Sequence, residues 1–103
     1  MKKRPEQLPN LLETIKNYVE NGEYYQTLHA FDRLVERDID LLDALHVLKN
    51  GSHERRKTSF DETFQKWKYA IRGKTLDGDE LRVIVTIEKN GVLIITAIDL
   101  TRG

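Results

Sequence analysis

Residues 66–98 read KWKYAIRGKTLDGDELRVIVTIEKNGVLIITAI, and the period in this stretch decides the fold class. Trp67, Tyr69 and Ile71 alternate with Lys66, Lys68, Ala70 and Arg72, so a strand here has one apolar and one basic face. Leu81, Val83, Val85 and Ile87 alternate with Arg82, Ile84 and Thr86 in a second strand. Val92 to Ile98 is apolar on both faces, the pattern of a strand flanked on both sides. Asp77-Gly78 marks the first turn. Asn90-Gly91 is the strongest hairpin signal in the chain, because a type I′ turn needs positive φ at both central residues. A polar stretch from His53 to Thr58 is expected to be an edge strand or a loop.

Upstream the period is helical. Asn10 with Glu13 has the spacing of a capping box, ahead of Leu11, Leu12, Ile15, Tyr18 and Val19, and Asn21-Gly22 supplies a left-handed stop. After a short Tyr24-Tyr25-Gln26 connection, Thr27 caps a second helix running to about Arg37, with Leu28, Phe31, Leu34 and Val35 as its expected buried stripe. Asp40 caps a third through Leu41, Ala44, Leu45 and Leu48, ending at Asn50-Gly51. The expectation is an α+β fold in which N-terminal helices pack on a three- to four-stranded antiparallel sheet.

The chain of 103 residues fits one domain, and no repeat, low-complexity tract or linker argues for a second. Its 17 basic and 17 acidic residues cancel, which weighs against a nucleic-acid binder on bulk charge alone. The distribution is uneven: residues 50–74 hold 7 basic and 3 acidic side chains, enough for a local basic patch on one sheet face. The absence of cysteine excludes disulfides and thiolate metal sites and suits a reducing compartment. The basic N-terminal run Met-Lys-Lys-Arg is followed by no apolar segment, and no later run is long and apolar enough to span a bilayer, so a cytoplasmic protein without a membrane partner is expected.

His29, Arg33 and Arg37 recur at spacings of four and share one helix face. They have two readings. In one, the stripe is a solvated face with Arg33 paired to Glu36. In the other it joins Lys66, Lys68, Arg72 and Arg82 in a concave basic site. RNA cleavage needs a base for the 2′-hydroxyl, an acid for the leaving 5′-oxygen and cations for the equatorial oxygens, and histidine with arginine supplies these without metal. Arginine's planar fork suits phosphate, while lysine adds field strength. Trp67 and Tyr69 alternate with the lysines and are read as core. His46, near the end of the third helix, reads as a capping or surface residue, and His53 has no helical context. The three histidines fall on separate elements with no metal-ligand spacing, so no metal or cofactor is expected, and the common hydrolase and nucleotide-binding motifs are absent.

Thr27-x-His29-Ala30-x-x-Arg33-x-x-x-Arg37-x-Ile39, a helix ending at Gly51, Trp67-x-Tyr69-x-Ile71-x-Gly73, and Asp77-Gly78-x-x-Leu81-Arg82-Val83 follow one another in order. This pattern resembles a bacterial domain-of-unknown-function family placed near the RelE, ParE and MqsR toxins. The resemblance covers about Tyr24 to Asp99 and leaves the N-terminal helix, residues 1–22, outside a RelE-like core of residues 24–99. It implies a metal-independent endoribonuclease acting on messenger RNA, hence single-stranded RNA as substrate and a cognate antitoxin as partner. By position His29, Arg33, Arg37 and Arg82 match the family's pattern as catalytic residues. Lys66, Lys68 and Arg72 come instead from the strand alternation, as substrate-binding residues. The neutral charge departs from ribonuclease toxins, and the alternatives are a non-enzymatic protein-interaction module of the same fold and a nucleic-acid binder without catalysis.

Overall fold

The computed structural model describes residues 3–101, so Met1 and Lys2 of the basic N-terminal run lie outside it. The fold is α+β, with three helices and a six-stranded mixed sheet. In chain order the elements are α1 (Leu11–Glu20), β1 (Tyr24–Gln26), α2 (Leu28–Glu36), α3 (Leu41–Asn50), β2 (Ser52–His53), a single 3-10 turn (Arg55–Lys57), β3 (Ser59–Asp61), β4 (Lys66–Lys74), β5 (Glu80–Glu88) and β6 (Gly91–Asp99).

The three long strands form where the two-residue period places them, and β4, β5 and β6 pair antiparallel in sequence order. Around them the sheet differs from the expected three or four antiparallel strands. Tyr24–Gln26 is not a connection: it pairs parallel with β6, Tyr24 opposite Val92 and Gln26 opposite Ile94. The polar stretch after Gly51 divides, β2 pairing with Arg72 and Ile71 and β3 pairing with Lys66 to Lys68 along the same edge of β4. Between them the backbone groups of Ala70 stay satisfied. Its N–H donates to Thr58 Oγ1 at 3.1 Å and its carbonyl accepts from Glu54 N at 2.8 Å.

The β5–β6 hairpin is present, but its turn is not the expected one. Glu88 pairs with Gly91, which leaves Lys89 and Asn90 as the loop, and neither has positive φ. Gly91 instead opens β6 at φ +154°, and a Cβ there would lie 2.3 Å from the Glu23 carbonyl oxygen. That carbonyl accepts from Val92 N at 3.0 Å as the chain enters β1. The glycine is therefore needed for the approach of the parallel strand rather than for turn geometry.

Helices α1 and α3 cover one sheet face. Leu11, Ile15 and Val19 of α1 and Ala44, Leu45, Val47 and Leu48 of α3 join Tyr69, Ile71, Leu81, Val83, Val85, Val92, Ile94 and Ala97 in one apolar core. Each such fully buried aliphatic side chain contributes about 1.5–3 kcal/mol relative to exposure. Asp40 caps α3 through Leu42 N at 2.9 Å, and Thr27 caps α2 through Ala30 N at 2.9 Å. Asn10 precedes α1 without a side-chain cap, so the expected capping box does not form. The apolar stripe of α2 is also a correction. Leu34 is buried, but Ala30 is its partner, while Leu28, Phe31 and Val35 are 79%, 51% and 65% exposed. Helix α2 packs on β6 and β1 with Ala30 and Leu34 as its buried residues, leaving the rest of the stripe on its flank.

Candidate functional site

The second sheet face carries Lys66, Lys68 and Arg72 of β4, Glu80, Arg82, Thr86 and Glu88 of β5, and Leu93 of β6, because successive side chains of a strand point to opposite sides. Arg72 and Arg82 are direct cross-strand partners. Two like charges in that relation repel, so the pair requires a carboxylate. Glu54 supplies it, leaving β2 just before the 3-10 turn. Arg82 donates to both of its oxygens, Nε to Oε1 at 2.6 Å and an Nη to Oε2 at 2.9 Å, in bidentate geometry. Arg72 donates to the same Oε2 at 3.3 Å and to Glu80 Oε2 at 2.7 Å. Hydrogen bonds from Arg82 hold the Glu54 carboxyl below its ordinary range, against the opposing effect of its burial. Those from Arg72 do the same for Glu80. The guanidinium groups of Arg72 and Arg82 are each raised by the carboxylates they contact.

Farther along the same face Lys66 pairs with Glu88, and Lys68 lies 4.0 Å from Asp61. These two lysines line a cleft of about 400 Å³ together with Thr27, Asp61, Phe64, Thr86, Glu88, Leu93 and Ile95. Of the seven residues expected in a basic site, only Lys66 and Lys68 line this cleft.

The other expected residues lie on α2. Arg33 Nε donates to His29 Nε2 at 3.2 Å, and an Nη of Arg33 donates to Glu36 at 3.1 Å, the i, i+3 pair that the solvated-face reading anticipates. Arg37 reaches the sheet, donating to Thr96 Oγ1 at 3.1 Å and to the Ala97 carbonyl at 2.8 Å. The stripe thus runs from an exposed His29 to an Arg37 fastened on β6. The structure brings together His29 with Arg33 on α2, and Arg72 with Arg82 around Glu54 on the open sheet face.

His53 is built into the fold. Its Nε2 lies 2.8 Å from Thr58 Oγ1, its ring meets Tyr69 edge-on at 5.8 Å, and burial followed by the Arg55 charge pushes its pKa down. With Arg55 it borders a cleft of about 480 Å³ against residues 7–13. His46 receives Asn50 Nδ2 on its carbonyl at 3.1 Å at the end of α3. Among the described residues no three His, Asp or Glu side chains converge as metal ligands would, and no helix is long and apolar enough to cross a membrane.

Sequence reasoning missed two groups. Glu54 stands alone among Arg55, Arg56 and Lys57 in a polar stretch, and a lone acid in a basic segment is the available signal for a buried counter-charge. Phe64 is an aromatic in an otherwise polar turn and is 72% exposed; that composition mismatch is its signal.

Fold and site together describe a small α+β protein with a helix-covered face and an open, charged face. The chain belongs to the family described as a domain of unknown function, DUF4258, whose model matches residues 26–99. All seven expected site residues fall inside the matched span, and α1 precedes it. Comparison with curated proteins finds no match.

Proposed function

We propose that this chain is a RelE-like, toxin-type protein that cleaves messenger RNA without a metal ion, using His29 as the base and Arg33 as the phosphate-binding cation. The observation that carries the reading is the contact between Arg33 Nε and His29 Nε2 on an exposed helix face. Accepting that hydrogen bond requires a lone pair on Nε2, so the ring proton sits on Nδ1. An incoming phosphate competes with Glu36 for the Arg33 fork and draws it off the ring. Nε2 then takes the 2′-hydroxyl proton as that oxygen attacks phosphorus. The bond to the 5′-oxygen breaks, the leaving oxygen is protonated by water, and a 2′,3′-cyclic phosphate and a 5′-hydroxyl end result. Arg37, fastened to β6, positions the helix. Arg72 and Arg82 are already satisfied by carboxylates and hold the sheet face in shape.

The test is incubation of purified wild-type and His29→Ala protein with a long single-stranded RNA in EDTA, with the cut ends mapped. The reading expects cleavage by wild type, none by His29→Ala, and a loss of roughly 10²-fold in rate for Arg33→Ala, the scale of removing one charge-stabilising donor. No cleavage by folded, partner-free wild-type protein overturns it.

A second reading, a non-enzymatic interaction module, is favoured by the exposure of Leu28, Phe31 and Val35. At about 100° per residue these lie across the Ala30–Leu34 ridge from His29 and Arg33. A cognate antitoxin is the partner the first reading expects on such a surface. In the second reading a partner binds there and no RNA is cut.

A further inference from the structure

The cleft on the open sheet face is placed and lined unlike any of the ion-paired positions around it. Its floor is apolar, formed by Leu93 and Ile95 of β6, with the Thr86 hydroxyl beside them. Ile95 is where the β5–β6 register slips: Ile84 pairs with Thr96 and Val85 with Ile94, which leaves Ile95 as an extra residue. Such a bulge re-aims a side chain. One wall is Phe64, carried by the turn between β3 and β4. That turn is held firmly, since Asp61 Oδ1 accepts from Thr63 N at 2.9 Å and Phe64 N at 3.1 Å, and Gln65 Nε2 donates to the Glu62 carbonyl at 2.7 Å. Gln65 adopts φ +54°, a conformation an L residue takes at a cost. A well-braced turn therefore presents a phenyl ring that is largely uncovered. Tyr25, 47% exposed, pairs with Leu93 in the β1–β6 register and so lies on the same face.

We propose that this cleft is a nucleobase-binding subsite for single-stranded RNA, in which one base stacks on Phe64 over Leu93 and Ile95. The proposal rests on the RNA reading above and gives its substrate a second point of contact. Three features select a nucleotide over a purely apolar ligand. A cavity near 400 Å³ is at the lower end of the range for small-ligand sites, a size suited to one nucleotide. An exposed aromatic ring is the element on which single-stranded bases stack without needing a particular sequence. Lys66 and Lys68 stand in the same lining, and the 4.0 Å separation of Lys68 from Asp61 leaves that ammonium loosely held and able to turn to a phosphate. Thr27, at the N-cap of α2 and two residues before His29, also lines the cleft, so the subsite adjoins the helix that carries the proposed base.

The test is a methyl- and amide-detected NMR titration of the full chain with uridine, cytidine, adenosine and guanosine 5′-monophosphates, and with ribose 5-phosphate as the baseless control. Nucleotides are expected to shift the Leu93 and Ile95 methyl and Thr86 amide signals, and ribose 5-phosphate to leave the methyls unmoved. Phe64→Ala is expected to weaken nucleotide binding roughly tenfold, the scale of losing one base–aromatic stack, with its unligated spectrum otherwise that of wild type because the ring is exposed. Equal binding of ribose 5-phosphate, shifts confined to other parts of the molecule, unchanged affinity in Phe64→Ala, or no binding at millimolar nucleotide would each overturn the subsite. Setting the titration beside the RNA-cleavage assay of the same wild-type protein separates the two claims. Nucleotide binding at the cleft without RNA cleavage by wild type removes the catalytic reading and leaves the subsite. Cleavage without nucleotide binding at the cleft removes the subsite and leaves the catalytic reading.

Discussion

The two ends of the open sheet face use the same kinds of side chain to opposite effect. At one end Arg72, Arg82, Glu54 and Glu80 close on one another, with the Arg82 and Glu54 side chains only 15% and 17% exposed. At the other, Lys66, Lys68, Asp61 and Glu88 stand around an apolar cleft, with Lys66 42% and Glu88 30% exposed. Both ends arise from charged residues on the polar faces of β4 and β5, so the strand pattern alone cannot tell them apart. The difference comes from the neighbouring chain. The segment after β2 crosses one end and delivers a carboxylate between two arginines, whereas the β3–β4 turn frames the other end with a phenyl ring. A cation on a strand becomes structural when a third element supplies its counter-charge out of water, and stays available when its ion pair is left partly in water.

That contrast is broken most severely by Glu54→Ala. The substitution leaves two cross-strand guanidinium groups, one of them largely buried, without their shared acceptor. A loss of about 2–4 kcal/mol is expected, since removing one partner of a largely buried pair strands the other charge. Urea unfolding of wild type and variant measures it, and a loss under about 0.5 kcal/mol would place the network with the surface pairs. The seam beside it gives the next largest effect. Gly51 packs on Gly73 where α3 meets β4, and a Cβ on Gly51 would lie 2.6 Å from the Arg72 carbonyl oxygen and 2.7 Å from that of Val47. Neither backbone atom can rotate away, so Gly51→Ala is expected to cost about 1–3 kcal/mol, read by the same unfolding measurement.

The network also fixes a pH dependence. The Glu54 and Glu80 carboxyls are both lowered in the folded protein, from an ordinary value of 4.5. Groups with depressed folded values give stability that is fully present above the unfolded value and is lost as pH falls through the folded one. Melting temperature is therefore expected to be level in this respect above about pH 5.5 and to fall as acid is added below 4.5. In Glu54→Gln the acid slope should be shallower, because that carboxyl no longer titrates. An identical slope in wild type and variant would show that Glu54 carries no part of it.

What the sequence made legible follows from range. Alternation at residues 66–72 and 81–87 and the helical spacing of Leu11, Ile15 and Val19 are local signals, and each element stands where they put it. Tyr24–Gln26 reads as a connection because three residues carry no period, and its parallel pairing depends on β6, distant in sequence. Leu28, Phe31 and Val35 form a good helical stripe, yet periodicity reports which residues share a face and not whether anything covers it. The stripe His29–Arg33–Arg37 was visible as a face, but Arg37 reaching Ala97 across the sheet edge was not. Glu54 escaped for the same reason as β1: its role is set by Arg72 and Arg82, both distant in sequence.

The smallest expected effect sharpens the contrast from its open end. Lys66 and Glu88 form an ion pair whose side chains are 42% and 30% exposed, more open than Arg82 and Glu54, and Lys68 is only loosely paired with Asp61. In water such pairs gain little Coulomb energy and must immobilise long side chains to do so, which puts their contribution at about 0–0.5 kcal/mol each. Lys66→Met and Lys68→Met, which keep the aliphatic stems against the sheet, are therefore expected to unfold within about 0.5 kcal/mol of wild type. Salt should distinguish the two ends further, because screening acts on exposed pairs and far less on largely buried ones. Raising the salt should therefore erase what little the lysine variants lose and leave most of the Glu54→Ala deficit in place. If a lysine variant instead lost as much stability as Glu54→Ala, the cleft would be a second closed network, and its lysines would not be free to meet a phosphate.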